Sequence, residues 1–278
     1  MTLDREEYVE QAYFFRALSD RMRDQTATQD LLKTIREELL ATTKLRLAVD
    51  FLASELRLKG VFATAMIKLG HYFTPFQTFV VSEAESERGR FDFVVGLEIL
   101  QREAVYRAEG ATPQGAFLYQ FEALCRNRLG YDRGLTAMAD DPIFDEGWRE
   151  WLLTVRRQIG LADIADLIYV RSAHYVQQRA SQGLDLEHNK PLLFGEKEGR
   201  IALANRRRDP LLLFAALQRH LGYPAVPRPP KPDESQNILP NLLRRLERVE
   251  GRLRLMEEEQ KGGIDLTKFY KPTDLGDE

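Results

Sequence analysis

Residues 90–113, RFDFVVGLEILQREAVYRAEGATP, contain one complete helix and the start of the next. Apolar side chains recur there every three or four residues, which is the spacing that lines one face of an α-helix. They are Phe93, Leu97, Leu100, Ala104 and Ala108. Gly110 tolerates left-handed backbone and therefore favours the end of the helix. The segment predicts an amphipathic helix, from about residue 90 to 108, that packs by one face.

A second helix start follows at Thr112-Pro113, and the same chemistry recurs along the chain. The threonine oxygen can accept from a free backbone N–H, and proline has no N–H to leave unpaired. The other pairs of this kind are Thr74-Pro75, Asp141-Pro142 and Asp209-Pro210. Asp141-Pro142 fits a turn equally well, in which case Asp145 caps the next helix. Long helical stretches are also predicted over 30–59 and 161–179, so the main domain is expected to be built from many helices.

One segment favours β-structure. The short apolar runs Leu192–Phe194 and Arg200–Leu203 flank a polar loop, Gly195–Gly199. Two such runs around a short loop bounded by glycines predict a small β-hairpin over about 191–204. An isolated hairpin is only marginally stable, so we expect it to pack on the helices.

Composition then divides the chain. A helical globular domain over 1–222 is followed by a proline-rich segment, 223–237, which predicts a stiff linker. A helix over 238–261 and a flexible tail over 262–278 complete the chain. The predicted fold class is therefore mainly α: an irregular multi-helix domain with one small hairpin, plus a C-terminal helix of coiled-coil type.

The C-terminal helix carries a heptad repeat. Its apolar seam, with alternating spacings of three and four, consists of Leu239, Leu242, Leu246, Val249, Leu253 and Met256. In a parallel pair, Arg245 faces Glu250 and Arg252 faces Glu257 of the second helix, and both contacts are attractive. The pattern predicts a short coiled coil that pairs with a second copy or with a partner. The same seam could instead dock on its own domain.

Charge and composition exclude several classes of protein. The 278 residues include 40 Lys plus Arg and 43 Asp plus Glu, so the net charge of −3 argues against a protein that coats a polyanion. A single cysteine, Cys125, argues against a disulfide scaffold. The longest strongly apolar run, Leu211–Leu217, is too short for a membrane span. We therefore expect a cytoplasmic protein without a membrane partner.

Motifs that carry chemistry are scarce. None of the four histidines follows a glutamate by three residues, as a di-iron helix bundle requires, so no metal is expected. No glycine-rich phosphate loop is found, and no cofactor is expected. Cys125 lies in an amphipathic stretch and is interpreted as a buried apolar residue. The aromatic residues Tyr72, Phe73, Phe76 and Phe79 are interpreted as core.

Basic clusters leave one candidate site. Arg206, Arg207 and Arg208 directly precede the Asp209-Pro210 helix start, where three arginines beside a helix N-terminus could contact a phosphate. The chain has 30 Arg against 10 Lys, and this excess is equally typical of a bacterial-like genome composition.

The sequence favours a non-catalytic cytoplasmic assembly or adaptor protein. It would act through protein–protein contacts, with itself as a possible homodimer or with another protein, through the C-terminal coiled coil. Two alternatives come from other classes. One is an enzyme with a polar helical cleft, for which Arg126, Arg128, Asp163, Asp166 and Arg171 are the candidate residues. The other is a nucleic-acid-associated factor that uses the arginine clusters.

Overall fold

A computed structural model describes residues 2–23, 28–86, 91–183, 191–229 and Glu250. The chain divides into two compact units, Met1–Pro229 and Pro230–Glu278. Across the described ranges up to residue 229 the structure is helical, and its β-contacts are two isolated bridges, Ile159 with Ala162 and Ser172 with Phe194. The prediction of a mainly α fold is confirmed.

The helices follow one another closely along the first unit. In chain order they are α1 (Arg5–Met22), α2 (Thr28–Glu38), α3 (Leu45–Lys59), α4 (Ala63–Lys68), α5 (Pro75–Ala84), α6 (Phe93–Ala108), α7 (Pro113–Asn127), α8 (Tyr131–Ala139), α9 (Glu146–Gln158), α10 (Ile164–Tyr169), α11 (Ala173–Ser181), α12 (Glu196–Ala204) and α13 (Pro210–Leu221). α1 packs along α6, α2 on α3, and α8 on α9, while α10, α12 and α13 pack together near the end of the unit. None of the described helices is both long and apolar enough to cross a bilayer.

α6 has the amphipathic pattern predicted for it. Leu97, Leu100 and Ala104 are buried in the core. The helix begins where Asp92 Oδ1 accepts a hydrogen bond from the Val95 N–H at 3.0 Å. After its end, Gly110 has a φ of +88°, which is the left-handed backbone expected of a glycine there.

The predicted helix starts at Thr74, Thr112 and Asp209 are all present, since each side chain accepts from a backbone N–H of the following turn. Asp141-Pro142 does not begin a helix but forms a turn, which is the second of the two predicted possibilities. The Asp145 side chain caps α9 by accepting a hydrogen bond from the Trp148 N–H at 3.0 Å. Asp141 itself is buried.

The helix expected over 161–179 is instead two helices, α10 and α11. The helix expected over 30–59 is likewise two helices, α2 and α3. The break between them is stabilised by two carboxylates of α1. Glu10 Oε2 accepts from the Leu40 N–H at 2.8 Å, and Glu7 Oε1 accepts from the Lys44 N–H at 2.9 Å. Because these carboxylates satisfy backbone donors that an uninterrupted helix would have paired itself, the chain can turn here at little cost.

The prediction of a β-hairpin over 191–204 is wrong. Residues Glu196–Ala204 form α12, preceded by Leu193 and Phe194, which are buried in the core. Two acids in the first turn of α12 favour its N-terminus. Gly199 is a point of close helix packing: a Cβ added there would lie 2.6 Å from the Cβ of Ser172. A glycine that resembles a loop boundary in the sequence is therefore a contact between helices.

The beginning of the proline-rich segment packs on the helical unit. Residues 222–229 have no helical structure, and Tyr223 is buried, with its hydroxyl donating to Glu122 Oε2 at 2.8 Å. Arg102 donates to the Ala225 carbonyl at 2.6 Å, and Asn127 Nδ2 donates to the Pro227 carbonyl at 3.2 Å. These contacts attach residues 223–227 to α6 and α7.

The C-terminal heptad helix over 238–261 and the tail over 262–278 lie outside the described residues, apart from Glu250. The coiled coil and its seam of Leu239, Leu242, Leu246, Val249, Leu253 and Met256 stay a prediction.

Candidate functional site

A groove runs between α5 and α8, and we call it the α5–α8 groove. It encloses about 630 Å³ and is closed at one side by the end of α4. Each wall is one stripe of a helix with spacings of three, four and seven residues. α5 contributes Pro75, Thr78, Phe79 and Ser82, and α8 contributes Arg133, Thr136 and Ala137, with Asp140 directly after its last residue. Residues with this spacing share one helix face, so both helices present a full stripe to the groove.

A glycine brings the two helices together. A Cβ added to Gly134 of α8 would lie 2.7 Å from Leu124 Cδ2 and 3.2 Å from Phe79 Cε1. Gly130 lies near Glu83 and Gly134 near Phe79, so the contacts run in opposite directions along the two helices. α5 and α8 therefore pack antiparallel at this point, and their outward stripes form the two walls.

The floor of the groove is apolar. Phe73 and Phe79 form its base and are themselves buried in the core, so their rings are held in place by packing. Ile67 of α4 lies at the edge with 65% of its surface exposed. A concave site with an apolar base and a few polar groups at its edge is the usual form of a binding site.

Charged side chains form the rim and are held by partners within the chain. Arg133 Nη1 lies 3.0 Å from Glu83 Oε1, and its guanidinium lies 5.9 Å from the centre of the Phe79 ring. Arg156 donates to Thr136 Oγ1 at 2.8 Å and lies 3.6 Å from Asp132 Oδ1. The four rim charges that line the groove, from Arg133, Arg156, Asp132 and Asp140, sum to zero. The side chains that line the rim therefore carry no net charge.

The candidate phosphate contacts lie on a different surface. Arg206 forms an ion pair with Asp166 and lies 5.7 Å from the centre of the Tyr169 ring. The backbone N–H of Arg207 donates to Asp163 Oδ2 at 2.6 Å. The side chains of Arg206, Arg207 and Arg208 are all exposed. Two carboxylates beside the cluster lower its attraction for a phosphate. The Arg206 side chain and the Arg207 backbone N–H, through these carboxylates, attach the turn before α13 to residues 163–166.

The five residues of the predicted enzyme cleft make separate contacts. Arg126 pairs with Glu122 of its own helix, and Arg128 ends α7 with a left-handed φ of 55°. Burial lowers the pKa of the Arg171 guanidinium, which lies near the Pro191 carbonyl. Within the described ranges, Asp163 and Asp166 contact the 206–207 turn rather than any of these three arginines.

Metal and thiol chemistry find no support in the part of the chain that the structure describes. No group of three or more His, Cys, Asp or Glu side chains is placed there to hold a metal ion. Burial raises the pKa of the Cys125 thiol to about 11, so the thiolate needed for nucleophilic chemistry is scarce at neutral pH. Cys125 is partly buried and packs against the core, so it is less buried than its interpretation as a buried apolar residue expects.

Comparisons with protein families, with curated proteins and with solved structures find no match to this chain.

Proposed function

We propose that this protein is a non-catalytic cytoplasmic adaptor or assembly protein, whose α5–α8 groove binds an uncharged, apolar segment of a partner protein. The observation that carries the proposal is the groove itself. Its volume is about 630 Å³, its floor is apolar, and the charges of the side chains that line its rim sum to zero. The absence of net charge at the rim favours a partner segment that contributes apolar side chains without net charge of its own.

The dimensions of the groove support a peptide segment as its occupant. The first and last residues of each wall are seven positions apart, which is about 10 Å along a helix axis. That length accommodates two turns of a helix or three residues of an extended chain. Apolar anchors spaced three or four residues apart are the usual means by which a helix binds such a groove.

The C-terminal heptad gives the proposed adaptor a second contact. A helix joined to the main domain by a proline-rich segment raises the effective concentration of its binding partner without covering the domain. The expected partner is a second copy of this chain, aligned by the attractive pairs Arg245 with Glu250 and Arg252 with Glu257.

The groove proposal predicts that a substitution in the groove lowers the amount of partner protein that the chain captures. Ile67→Asp puts a charge at the edge of the apolar floor, and the expected result is a loss of about tenfold or more in captured partner, because a charged side chain would face the apolar segment. Wild-type and variant chains would be used for affinity capture from native cells, with quantitative mass spectrometry. Leu161→Asp is the matched control, because Leu161 is 88% exposed and lies outside the groove. Equal recovery by Ile67→Asp and the wild type would contradict the proposal.

The heptad proposal predicts a change in molar mass. Leu246→Glu places a charge in the middle of the apolar seam, so the full-length chain is expected to change from dimer to monomer in light scattering. Arg244→Glu, on the outward face of the same helix, should remain a dimer. A wild-type chain that is monomeric at micromolar concentration would contradict self-association.

A further inference from the structure

We infer that the outer face of α3 binds an acidic amphipathic helix of a partner protein. This surface is separate from the α5–α8 groove, and the inference does not depend on the groove. The outer stripe of α3 consists of Leu47, Phe51, Ser54 and Leu58. Leu47 and Leu58 are 74% and 77% exposed, so each end of the stripe presents a leucine to solvent.

The spacing of this stripe is that of a helix-pairing seam. Its members follow one another at four, three and four residues, which is the alternation at the contact positions of a heptad repeat. The opposite face of α3 is already buried in the core through Leu45, Val49, Leu52 and Leu56. The outer face of α3 is only partly covered: Phe51 packs against the core, Ser54 is a polar member of the stripe, and Leu47 and Leu58 are its exposed apolar side chains.

The surroundings of the stripe indicate the charge of the partner. Five basic residues lie on or beside α3, against three acids: Asp50 and Glu55 of α3, and Glu37 of α2, which lies 3.7 Å from Arg46. The basic residues are Lys44, Arg46, Arg57, Lys59 and Lys68. The whole chain has a net charge of −3, so this local excess of positive charge is opposite in sign to that of the molecule. A basic rim around an apolar seam complements a helix with acidic flanks.

The acids on this surface are already paired. Glu55 Oε2 accepts from Lys68 Nζ at 2.8 Å and lies 3.7 Å from Lys59 Nζ, and its side chain is largely covered. Asp50 pairs with Arg36 of α2 at 2.5 Å. Lys44 and Arg57 are exposed and form no ion pair with the described residues. The positive charge of Lys44 and Arg57 is thus available to an incoming carboxylate.

Phe51 is positioned for the centre of such a contact. Lys68 Nζ lies 5.7 Å from the centre of the Phe51 ring, so the cation partly covers the aromatic face. A partner leucine can pack against the part of Phe51 that remains exposed, while a partner glutamate meets Lys44 or Arg57, because the Lys68 ammonium group already pairs with Glu55.

The test uses the full-length chain and a synthetic helix of about three heptads, with leucine at the seam and glutamate at the flanking positions. Fluorescence anisotropy is expected to show about tenfold or more tighter binding of this peptide than of the same peptide with flanking lysines. The preference should shrink in high salt, because exposed charges are screened. The double variant Leu47→Asp and Leu58→Asp should lose about tenfold in affinity or more, and so should Arg57→Glu, whose seam is intact. Leu161→Asp should bind as the wild type.

Three results would overturn the inference: no binding of the glutamate peptide, equal affinity for the two peptides, or full binding by the Leu47/Leu58 double variant. Loss of binding in Ile67→Asp alone would place the peptide in the groove, which would contradict the inference while leaving the proposed function intact.

Discussion

Arg107→Met is expected to lower the free energy of unfolding by about 3–5 kcal/mol, which is the usual cost of removing one partner of a buried ion pair. Arg107 is buried between two buried carboxylates. Its Nη2 lies 2.9 Å from Glu103 Oε1 and also contacts Asp141 Oδ2. Gln120 donates to Glu103 Oε1 at 2.7 Å and so binds the same cluster from α7. Without the guanidinium, the two carboxylates would face each other with no cation between them.

The cost of this substitution should grow with pH. Burial raises the pKa of Glu103, and this effect outweighs the attraction of Arg107. A carboxyl whose pKa is higher in the folded state than in the unfolded state loses stability as the pH rises above its unfolded value, about 4.3. Removing the cation raises the folded pKa further, so the variant should be closest to the wild type at acidic pH.

Urea denaturation followed by circular dichroism at pH 5 and pH 7 would measure both effects. Arg16→Met is the matched control, because Arg16 is exposed and its pair with Asp20 is worth little. A loss below about 1 kcal/mol for Arg107→Met at pH 7 would contradict the role assigned to the cluster.

Phe194→Ala is expected to cost about 3–5 kcal/mol of the free energy of unfolding, the range for large aromatic truncations in a core. The Phe194 ring lies 5.2 Å from both Trp148 and Trp151 and 6.1 Å from Phe117, measured between ring centres. It is held there by backbone hydrogen bonds of Phe194 to Arg171 and Ala173. The side chain therefore joins the segment before α12 to the centre of the domain.

Leu192→Ala is the control for this prediction, because Leu192 lies two residues away and is largely exposed. Leu192→Ala should change the free energy of unfolding of the protein by no more than about 0.5 kcal/mol. Urea midpoints of the two variants would separate the contributions. Similar midpoints for both would show that the aromatic cluster does not depend on Phe194.

Local chemistry makes the helix ends predictable from the sequence. Thr112-Pro113 and Gly110 carry their signal within a few residues, so the end of α6 and the start of α7 follow from the amino acids alone. The hairpin prediction is wrong because short apolar runs do not distinguish a strand from a buried helix. What decides the matter is the contact of Gly199 with Ser172, which are distant in the sequence.

The groove could not be predicted from the sequence either, because it also depends on contacts between residues that are distant in the sequence. The interpretation of Phe79 as core is correct. The groove above its ring, however, forms only because α8 packs against α5 at Gly134. The stripe of Arg133, Thr136, Ala137 and Asp140 has a helical spacing that, in the sequence, is indistinguishable from an ordinary surface. The arginine run at 206–208 is plain in the sequence, yet its contacts with Asp163 and Asp166 depend on the fold.

The most direct test of the adaptor proposal is photo-cross-linking from the groove in native cells. A photoreactive amino acid in place of Ile67 lies at the edge of the apolar floor, and one in place of Leu161 lies at a comparably exposed position outside the groove. The account predicts a discrete cross-linked partner protein from position 67 and none from position 161. The same adducts from both positions, or none from position 67, would contradict it.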